Sequence, residues 1–200
     1  MQTEVEAKFL HQDHAVIRKI LQKNGAQLIQ PMKLMRRTVF DFPDRRLLKK
    51  RAWVRLREEL DGSVELMLKQ VVSDDIGQTF EQPIKVSDYE AAKMFVTSLG
   101  LEIKGEQESK RELWKLGEVE IMLDEWPWAD PFIEIEASNE AEVKAVAKKL
   151  DLKWESARFG GITPVYTEQY NISAAVFEKT DLSMKFSQPV PEVLLNAGKI

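Results

Sequence analysis

The stretch Thr3-Glu4-Val5-Glu6-Ala7-Lys8-Phe9-Leu10 alternates charged and apolar side chains. One face of the alternation carries Glu4, Glu6 and Lys8, and the residues between them are apolar. A period of two predicts a β-strand, because successive side chains of a strand point to opposite faces of the sheet. The charged face has two interpretations. It is either a solvated face of an antiparallel sheet or a site that binds an anion together with a metal ion.

The composition limits the class of protein. The 200 residues suffice for one large domain or two small ones, and the absence of cysteine excludes disulfides, thiol catalysis and cysteine-bound zinc. The net charge of −4 argues against general attraction to nucleic acid or to an anionic membrane. No apolar signal core or membrane-length apolar run is present, so we expect a cytoplasmic protein without a membrane partner, as a monomer or homodimer. The two histidines, His11 and His14, are expected at the surface, which argues against a histidine-bound metal.

The same alternation recurs along most of the chain. Strands are predicted over residues 34–42, 52–58, 64–69, 79–86, 106–116, 119–123 and 132–136, with a last strand over 163–170. Helices are predicted over residues 11–24, 87–99 and 139–150, and Phe95 and Leu99 are expected on the inward face of the second. Residues 173–200 have a weak pattern. We therefore predict one domain over residues 1–172 and a C-terminal extension over residues 173–200.

The charged faces contain unusual pairs. Arg55 and Arg57 share one face of a strand, and Glu134 and Glu136 share one face of another. An α+β fold, in which about eight antiparallel strands close into a barrel beneath external helices, would place these charges inside a tunnel. Buried charges must pair, coordinate metal or hold an ionic ligand. Clustered arginine and lysine suit a polyphosphate, and carboxylates without histidine suit Mg²⁺ or Mn²⁺.

The ordered set of motifs resembles the CYTH superfamily, the triphosphate tunnel metalloenzymes. Glu4-Val5-Glu6-Ala7-Lys8 is similar to the E-x-E-x-K signature of that family. The later motifs, in the family's order, are Phe40-Asp41-Phe42-Pro43-Asp44, Val54-Arg55-Leu56-Arg57, Leu68-Lys69, Lys110-Arg111 and Phe132-Ile133-Glu134-Ile135-Glu136. The resemblance spans about residues 3–170 and implies an eight-stranded tunnel that binds a small-molecule triphosphate, with a divalent metal on its acidic side.

The resemblance also implies which residues form the site. The basic positions expected to bind triphosphate are Lys8, Arg55, Arg57, Lys69 and Arg111. The acids expected in catalysis and metal binding are Glu4, Glu6, Glu134 and Glu136, and Asp124 is expected as a further metal ligand. Further candidates are Arg37, Glu65, Glu81, Trp53 and Tyr166.

Three of these candidates have two interpretations each. Arg37 stands where relatives often have a polar or acidic residue, and it either binds triphosphate or is a solvated arginine at a strand end. Trp53 either stacks on an organic ring of the substrate or fills a gap in the packing. Tyr166 lies either near the site or in the core. Pro83 replaces the second acid of its strand, so Glu81 stands alone there.

Three functions are consistent with this reading. The first is a Mg²⁺- or Mn²⁺-dependent hydrolase of inorganic triphosphate, thiamine triphosphate or a nucleoside triphosphate. The second is a class IV adenylyl cyclase, which would use the same tunnel together with a nucleoside pocket that the sequence does not locate. The third is a non-catalytic module that binds polyphosphate or nucleotide. It would require loss of the acidic set, and that set is present.

Overall fold

The computed structural model of the protein describes residues 2–200 and has an α+β architecture. The strands are β1 (Gln2–Glu4), β2 (Glu6–Phe9), β3 (Gln27–Asp41), β4 (Ala52–Glu58), β5 (Val64–Val71), β6 (Thr79–Val86), β7 (Glu102–Leu116), β8 (Val119–Glu125) and β9 (Phe132–Glu136). The α-helices are α1 (His14–Lys23), α2 (Tyr89–Ser98), α3 (Glu140–Lys149), α4 (Thr163–Thr167), α5 (Ala174–Lys179) and α6 (Glu192–Ala197). The strands form one antiparallel sheet of nine strands in the order β1-β6-β5-β4-β3-β7-β8-β9-β2.

The predicted first strand is divided between the two ends of this sheet. Strand β1 pairs with β6, where Glu4 lies opposite Thr79, and β2 pairs with β9, where Lys8 lies opposite Glu134. Val5 separates the two strands, and its carbonyl accepts a hydrogen bond of 3.1 Å from the amide of Ala137. The prediction that eight strands close into a barrel through hydrogen bonds is therefore not confirmed for residues 2–200. One continuous segment changes its pairing partner at Val5, so the sheet has nine strands and no ladder joins β1 to β2.

The apolar face of the sheet packs against helices. Helices α1 and α3 cover one part of it, including Phe9, Ile133 and Ile135, which are fully buried. Helix α2 covers another part around Phe40 and Leu56. Because side chains alternate along each strand, this packing leaves the charged residues on the opposite face.

Several predicted elements differ from the structure. In α2 the buried positions are Tyr89, Ala92 and Val96, whereas Phe95 and Leu99 are 63% and 60% exposed. The helix rests on a narrow row of side chains, and the prediction that Phe95 and Leu99 point inward is wrong. Strand β3 begins at Gln27 rather than at residue 34, because shifts in register near Leu28 and Lys33 accommodate an irregular start that includes Pro31. Strand β7 likewise begins at Glu102 rather than at residue 106.

The end of the chain is helical and packed. The strand predicted over residues 163–170 is wrong, since α4 begins there with Pro164 in its first turn, where a fixed φ favours a helix start. Residues 173–200 contain α5 and α6 and contribute Phe177, Met184 and Leu194 to a buried cluster with Phe132. The segment also runs beside β7, where the amide of Glu108 donates to the carbonyl of Met184 at 2.7 Å.

The two histidines differ from each other. His11 is exposed and lies 3.1 Å from a carboxylate oxygen of Asp130. His14 is only 7% exposed, and its Nε2 lies 3.0 Å from the carbonyl oxygen of Phe132, so the expectation of a surface residue is wrong for His14.

Within residues 2–200, the helices all lack the length or the apolar character needed to cross a membrane.

Candidate active site

The charged face of the sheet encloses a cavity of about 870 Å³. All the site residues predicted from the sequence line this cavity except Asp124 and Tyr166. Alternation along the strands explains the grouping, because Trp53, Arg55 and Arg57 occupy every second position of β4. Strand register then sets the neighbours across the strands.

Three glutamates from three strands meet in the cavity. Glu4, Glu6 and Glu136 each present a carboxylate oxygen, and these oxygens all lie within 4.8 Å of one another. Burial, together with Glu4 and Glu81, raises the pKa of Glu136 to about 7. Burial and the neighbouring Glu134 raise the pKa of Glu6 well above its usual value. Crowded carboxylates of this kind form an all-oxygen ligand set suited to a hard divalent cation.

Glu134 and Asp124 are instead engaged by cations. Glu134 lies 3.2 Å from Lys8 and 2.5 Å from Arg111. Burial favours the neutral acid, but Lys8 and Arg111 outweigh it and lower the pKa of Glu134. Arg111 also donates to both carboxylate oxygens of the fully buried Asp124, at 2.7 Å each. Of the five acids proposed as metal ligands, three are thus crowded together, whereas Glu134 and Asp124 lie outside that group and both contact Arg111.

Two lysines link these carboxylates. Lys69 lies 2.5 Å from Glu4 and 2.9 Å from Glu81. Lys8 contacts Glu6 and donates to the carbonyl oxygen of Gly160 at 2.8 Å. Each lysine therefore fixes one member of the three-glutamate cluster in position.

Three arginines that line the cavity lie on the neighbouring strands β3 and β4. Arg37 lies directly opposite Arg57 in the ladder, and Arg55 lies opposite Val39. Arg57 donates to Glu59 at 2.5 Å. Arg37 donates to the hydroxyl of Ser109, and its guanidinium carbon lies 4.4 Å from the ring centre of Trp126. This contact of Arg37 has no signal in the sequence, because Ser109 and Trp126 belong to β7 and to the segment after β8.

The sequence matches the model of a known protein family. The CYTH domain model matches residues 2–160, which is most of the chain. The chain belongs to the CYTH domain family. A comparison with curated proteins gives no match.

Solved structures share the CYTH fold at low sequence identity. The PH1012 protein from Pyrococcus horikoshii is 24% identical, with a TM-score of 0.65 over 78% of this chain and 94% of that chain. A proposed adenylate cyclase from Vibrio parahaemolyticus is 17% identical, with a TM-score of 0.71 over 83% of this chain and 98% of that one. A proposed adenylyl cyclase from Hippeastrum, described as having a dominant triphosphatase activity, is 14% identical, with a TM-score of 0.57 over 79% of this chain and 91% of that one.

The two aromatic candidates, Trp53 and Tyr166, occupy different environments. Trp53 lines the cavity, is half-buried and lies opposite Lys69 in the ladder. Tyr166 is fully buried, stacks on Phe177 at 4.7 Å and donates its hydroxyl to the carbonyl of Pro127 at 2.8 Å. Trp53 is thus placed where it can meet a ligand, and Tyr166 is a core residue.

Sequence reasoning missed two parts of the cavity wall. Arg45 and Arg51 line the cavity, and the loop that carries Arg45 is held by Asp41, whose carboxylate accepts from the amides of Leu47 and Leu48 at 3.0 and 2.9 Å. The basic run over residues 45–51 is visible in the sequence, but its position is not. The second part lies beyond the CYTH match and is formed by Ile162, Pro164, Ala174, Phe177, Leu182 and Met184. Residues 163–170 were predicted as a strand and residues 173–200 have a weak pattern, so this role was not predicted.

Proposed function

We propose that this CYTH protein is a metal-dependent hydrolase whose triphosphate substrate binds in the charged cavity. The observation that carries the proposal is the presence, in one cavity, of three crowded carboxylates and of buried arginines on neighbouring strands. A triphosphate bound to a divalent cation matches both groups, because phosphate oxygens suit guanidinium donors and the cation suits carboxylate oxygens. Membership of the CYTH family supports the proposal.

The residues present fit Mg²⁺ or Mn²⁺. Glu4, Glu6 and Glu136 would hold the ion, since their oxygens lie within 4.8 Å of one another and include no soft ligand. The raised pKa of Glu136, at about 7, reflects burial and neighbouring carboxylates, and a dication would offset that excess of negative charge. When bound, such an ion supplies charge to the phosphate oxygens and lowers the pKa of a coordinated water.

The side chains of the protein would perform the remaining tasks. Arg55 and Arg57 would bind phosphate oxygens and offset the charge of the substrate. Lys69 and Lys8 would keep Glu4 and Glu6 oriented through the ion pairs already formed. Water is the attacking group in this scheme, so no side-chain nucleophile is required.

Cyclisation of ATP is the second candidate function. A cavity of about 870 Å³ falls within the range of roughly 300–1,000 Å³ that holds drug-sized ligands, so an organic group would have room beside the phosphates. Trp53 lines this space and offers a ring for stacking. In this reaction the ribose 3′-hydroxyl attacks the α-phosphorus and pyrophosphate leaves. A non-catalytic binding module is the third candidate, and the intact glutamate cluster argues against it.

The test is a substrate screen with purified protein. Inorganic triphosphate, thiamine triphosphate and ATP are each incubated with Mg²⁺ or Mn²⁺, and phosphate release and cyclic AMP are measured in parallel. We expect phosphate release from at least one substrate, because hydrolysis is the activity described for the Hippeastrum neighbour. Chelation of the metal should abolish this release.

Two variants compare the effect of a substitution in the glutamate cluster with the effect of one at the exposed surface. Glu136→Gln should lower the rate by orders of magnitude, because it removes one carboxylate of the cluster. Glu118→Gln, at an exposed position in the turn between β7 and β8, should leave the rate unchanged. Release that persists with chelator would contradict the metal-dependent mechanism. Formation of cyclic AMP without phosphate release would show that the protein catalyses cyclisation and not hydrolysis.

A further inference from the structure

Helix α2 carries an exposed stripe of uncharged side chains in addition to the row that it buries against the sheet. The members of this outer stripe recur at helical spacing on one side of the helix, and they are Ala91, Met94, Phe95, Ser98 and Leu99. Met94, Phe95 and Leu99 are 64%, 63% and 60% exposed. Single exposed apolar residues are common, but three large ones on adjacent turns of one helix indicate an interaction surface.

Exposed apolar side chains of the sheet flank the outer stripe. Ile103 on β7 lies opposite Phe40, which α2 covers, and Ile84 on β6 lies opposite Leu66 of the same cluster. Ile103 and Ile84 are 41% and 54% exposed, and each shares the outer face of the sheet with the residue opposite it. A stable interface buries about 800 Å² on each partner. A helix of ten residues is only about 15 Å long, so these flanking side chains are needed to reach that area.

Both charged side chains of α2 are paired within the chain. Glu90 lies 3.4 Å from Arg36, and Lys93 contacts Glu106. Burial of an unpaired charge is costly, so a partner that covers the outer stripe should present an uncharged, apolar surface there. The outer stripe is itself a surface of this kind.

The order of side-chain sizes makes the outer stripe complementary to itself. Phe95 lies at its centre, with the small Ala91 four residues before it and the large Leu99 four residues after it. When two such helices pack antiparallel about a two-fold axis at Phe95, Ala91 of each copy faces Leu99 of the other. A small side chain then meets a large one at both ends, and the two helix dipoles oppose each other favourably.

We infer that the outer stripe of α2 is the contact surface of a homodimer, in which two copies of this chain pack their α2 helices antiparallel with Phe95 at the two-fold axis. The charged cavity is lined from the opposite face of the sheet, so each copy keeps its own cavity accessible. The homodimer therefore does not depend on which reaction the cavity performs.

The first test measures association of the full chain by sedimentation equilibrium over a wide range of concentration. The wild type should form dimers, and its melting temperature should rise with protein concentration, because association stabilises the folded state. Phe95→Lys should weaken dimerisation at least about tenfold, since it removes the central anchor and brings two ammonium groups together at the axis. Leu195→Lys is the matched control. Leu195 is 61% exposed on α6, and its replacement should leave dimerisation unchanged.

The second test uses the absence of cysteine from the natural sequence. Ala91→Cys and Leu99→Cys are prepared as separate variants, mixed and oxidised, and disulfide-linked dimers are counted by mass spectrometry. The mixture should yield dimers that join one variant to the other. Each variant alone should yield few, because two copies of position 91 lie about 12 Å apart along antiparallel helices. A disulfide requires its two Cα atoms within about 7 Å.

Three results would overturn the inference. A wild type that remains monomeric at every concentration would show that the outer stripe needs a partner other than this chain. Unchanged dimerisation of Phe95→Lys would place the contact between copies elsewhere. Disulfide formation by Ala91→Cys alone, in the same yield as in the mixture, would exclude the antiparallel arrangement about Phe95. This last test still decides if Phe95→Lys does not fold.

Discussion

Two glutamates on one face of β9 have opposite electrostatic environments. Burial and neighbouring carboxylates raise the pKa of Glu136 to about 7. Glu134 is also buried, but Lys8 and Arg111 lower its pKa. Strand register explains the difference, because Glu134 lies opposite Lys8, whereas Glu136 lies opposite Glu6 on one side and Glu120 on the other. The same residue type therefore serves as a charge partner at one position and as a crowded, protonatable group two residues later.

The raised pKa of Glu136 predicts how stability depends on pH in metal-free protein. The folded state binds this proton more tightly than the unfolded state, so the contribution of Glu136 to stability falls as pH rises from about 4.5 to about 7. Glu136→Gln mimics the protonated acid. At pH 8 it should raise the free energy of unfolding by at most about 3 kcal/mol, and at pH 4.5 the gain should nearly vanish.

Thermal unfolding in the presence of EDTA at both pH values measures this effect. Glu118→Gln, in the exposed turn between β7 and β8, provides the control and should show no gain at either pH. An equal gain from Glu136→Gln at pH 4.5 and pH 8 would indicate that the variant acts through packing rather than through ionisation.

At the scale of elements, the faces of strands were predictable and their partners were not. Alternation is a local property, so the inward positions of β4 and β9, including Arg55 and Glu134, could be read from the sequence. The division of the first segment at Val5 depends on β6 and β9, which lie far along the chain. The ion pairs between basic and acidic side chains also depend on how the strands pair with one another. The contact of Arg37 with Trp126 likewise arises only when the sheet has formed.

The contact between β7 and the C-terminal segment depends on one glycine. A Cβ at Gly105 would lie 2.5 Å from the carbonyl oxygen of Leu182, and the amide of Met184 donates to the carbonyl of Glu106 at 2.8 Å. Gly105→Ala should displace the segment and lower the free energy of unfolding by about 1–3 kcal/mol, as overpacking does. Chemical denaturation measures the loss, and limited proteolysis should show faster cleavage within residues 173–200.

Gly161→Ala is the comparison for this prediction. A Cβ there would lie 3.5 Å from Cη2 of Trp53, an ordinary contact, so stability should stay near that of the wild type. Wild-type stability in Gly105→Ala would mean that the segment shifts without loss of packing.

At the scale of the whole molecule, the last part of the chain completes both the core and the cavity. Phe177, Met184 and Leu194 are buried in one cluster with Phe132 and Tyr166. The same segment supplies Phe177 and Leu182 to the cavity wall, although it lies beyond the CYTH match. The weak pattern of residues 173–200 reflects two helices of 6 residues that each bury one side chain, Phe177 in α5 and Leu194 in α6, so no helical period can be recognised.

Deletion of residues 173–200 tests whether the predicted boundary at residue 172 delimits a stable unit. We expect a lower melting temperature and aggregation, because the deletion exposes the fully buried Phe132 and Tyr166. Calorimetry and size-exclusion chromatography report these changes. A shortened chain that melts at the wild-type temperature as a single species would establish residues 173–200 as a separable extension.

The divided first segment imposes an order on folding. Glu4 pairs opposite Thr79 and Glu6 opposite Glu136, so this segment cannot find both partners until β9 has been synthesised. Until the first segment is in place, β6 and β9 would expose unpaired edges, which favour association with other chains. Insertion of the segment covers both edges and, in the same event, brings Glu4 and Glu6 to Glu136. The capacity to bind a divalent cation should therefore emerge late in refolding, together with resistance to aggregation, and a cation-sensitive probe would time the final step of folding.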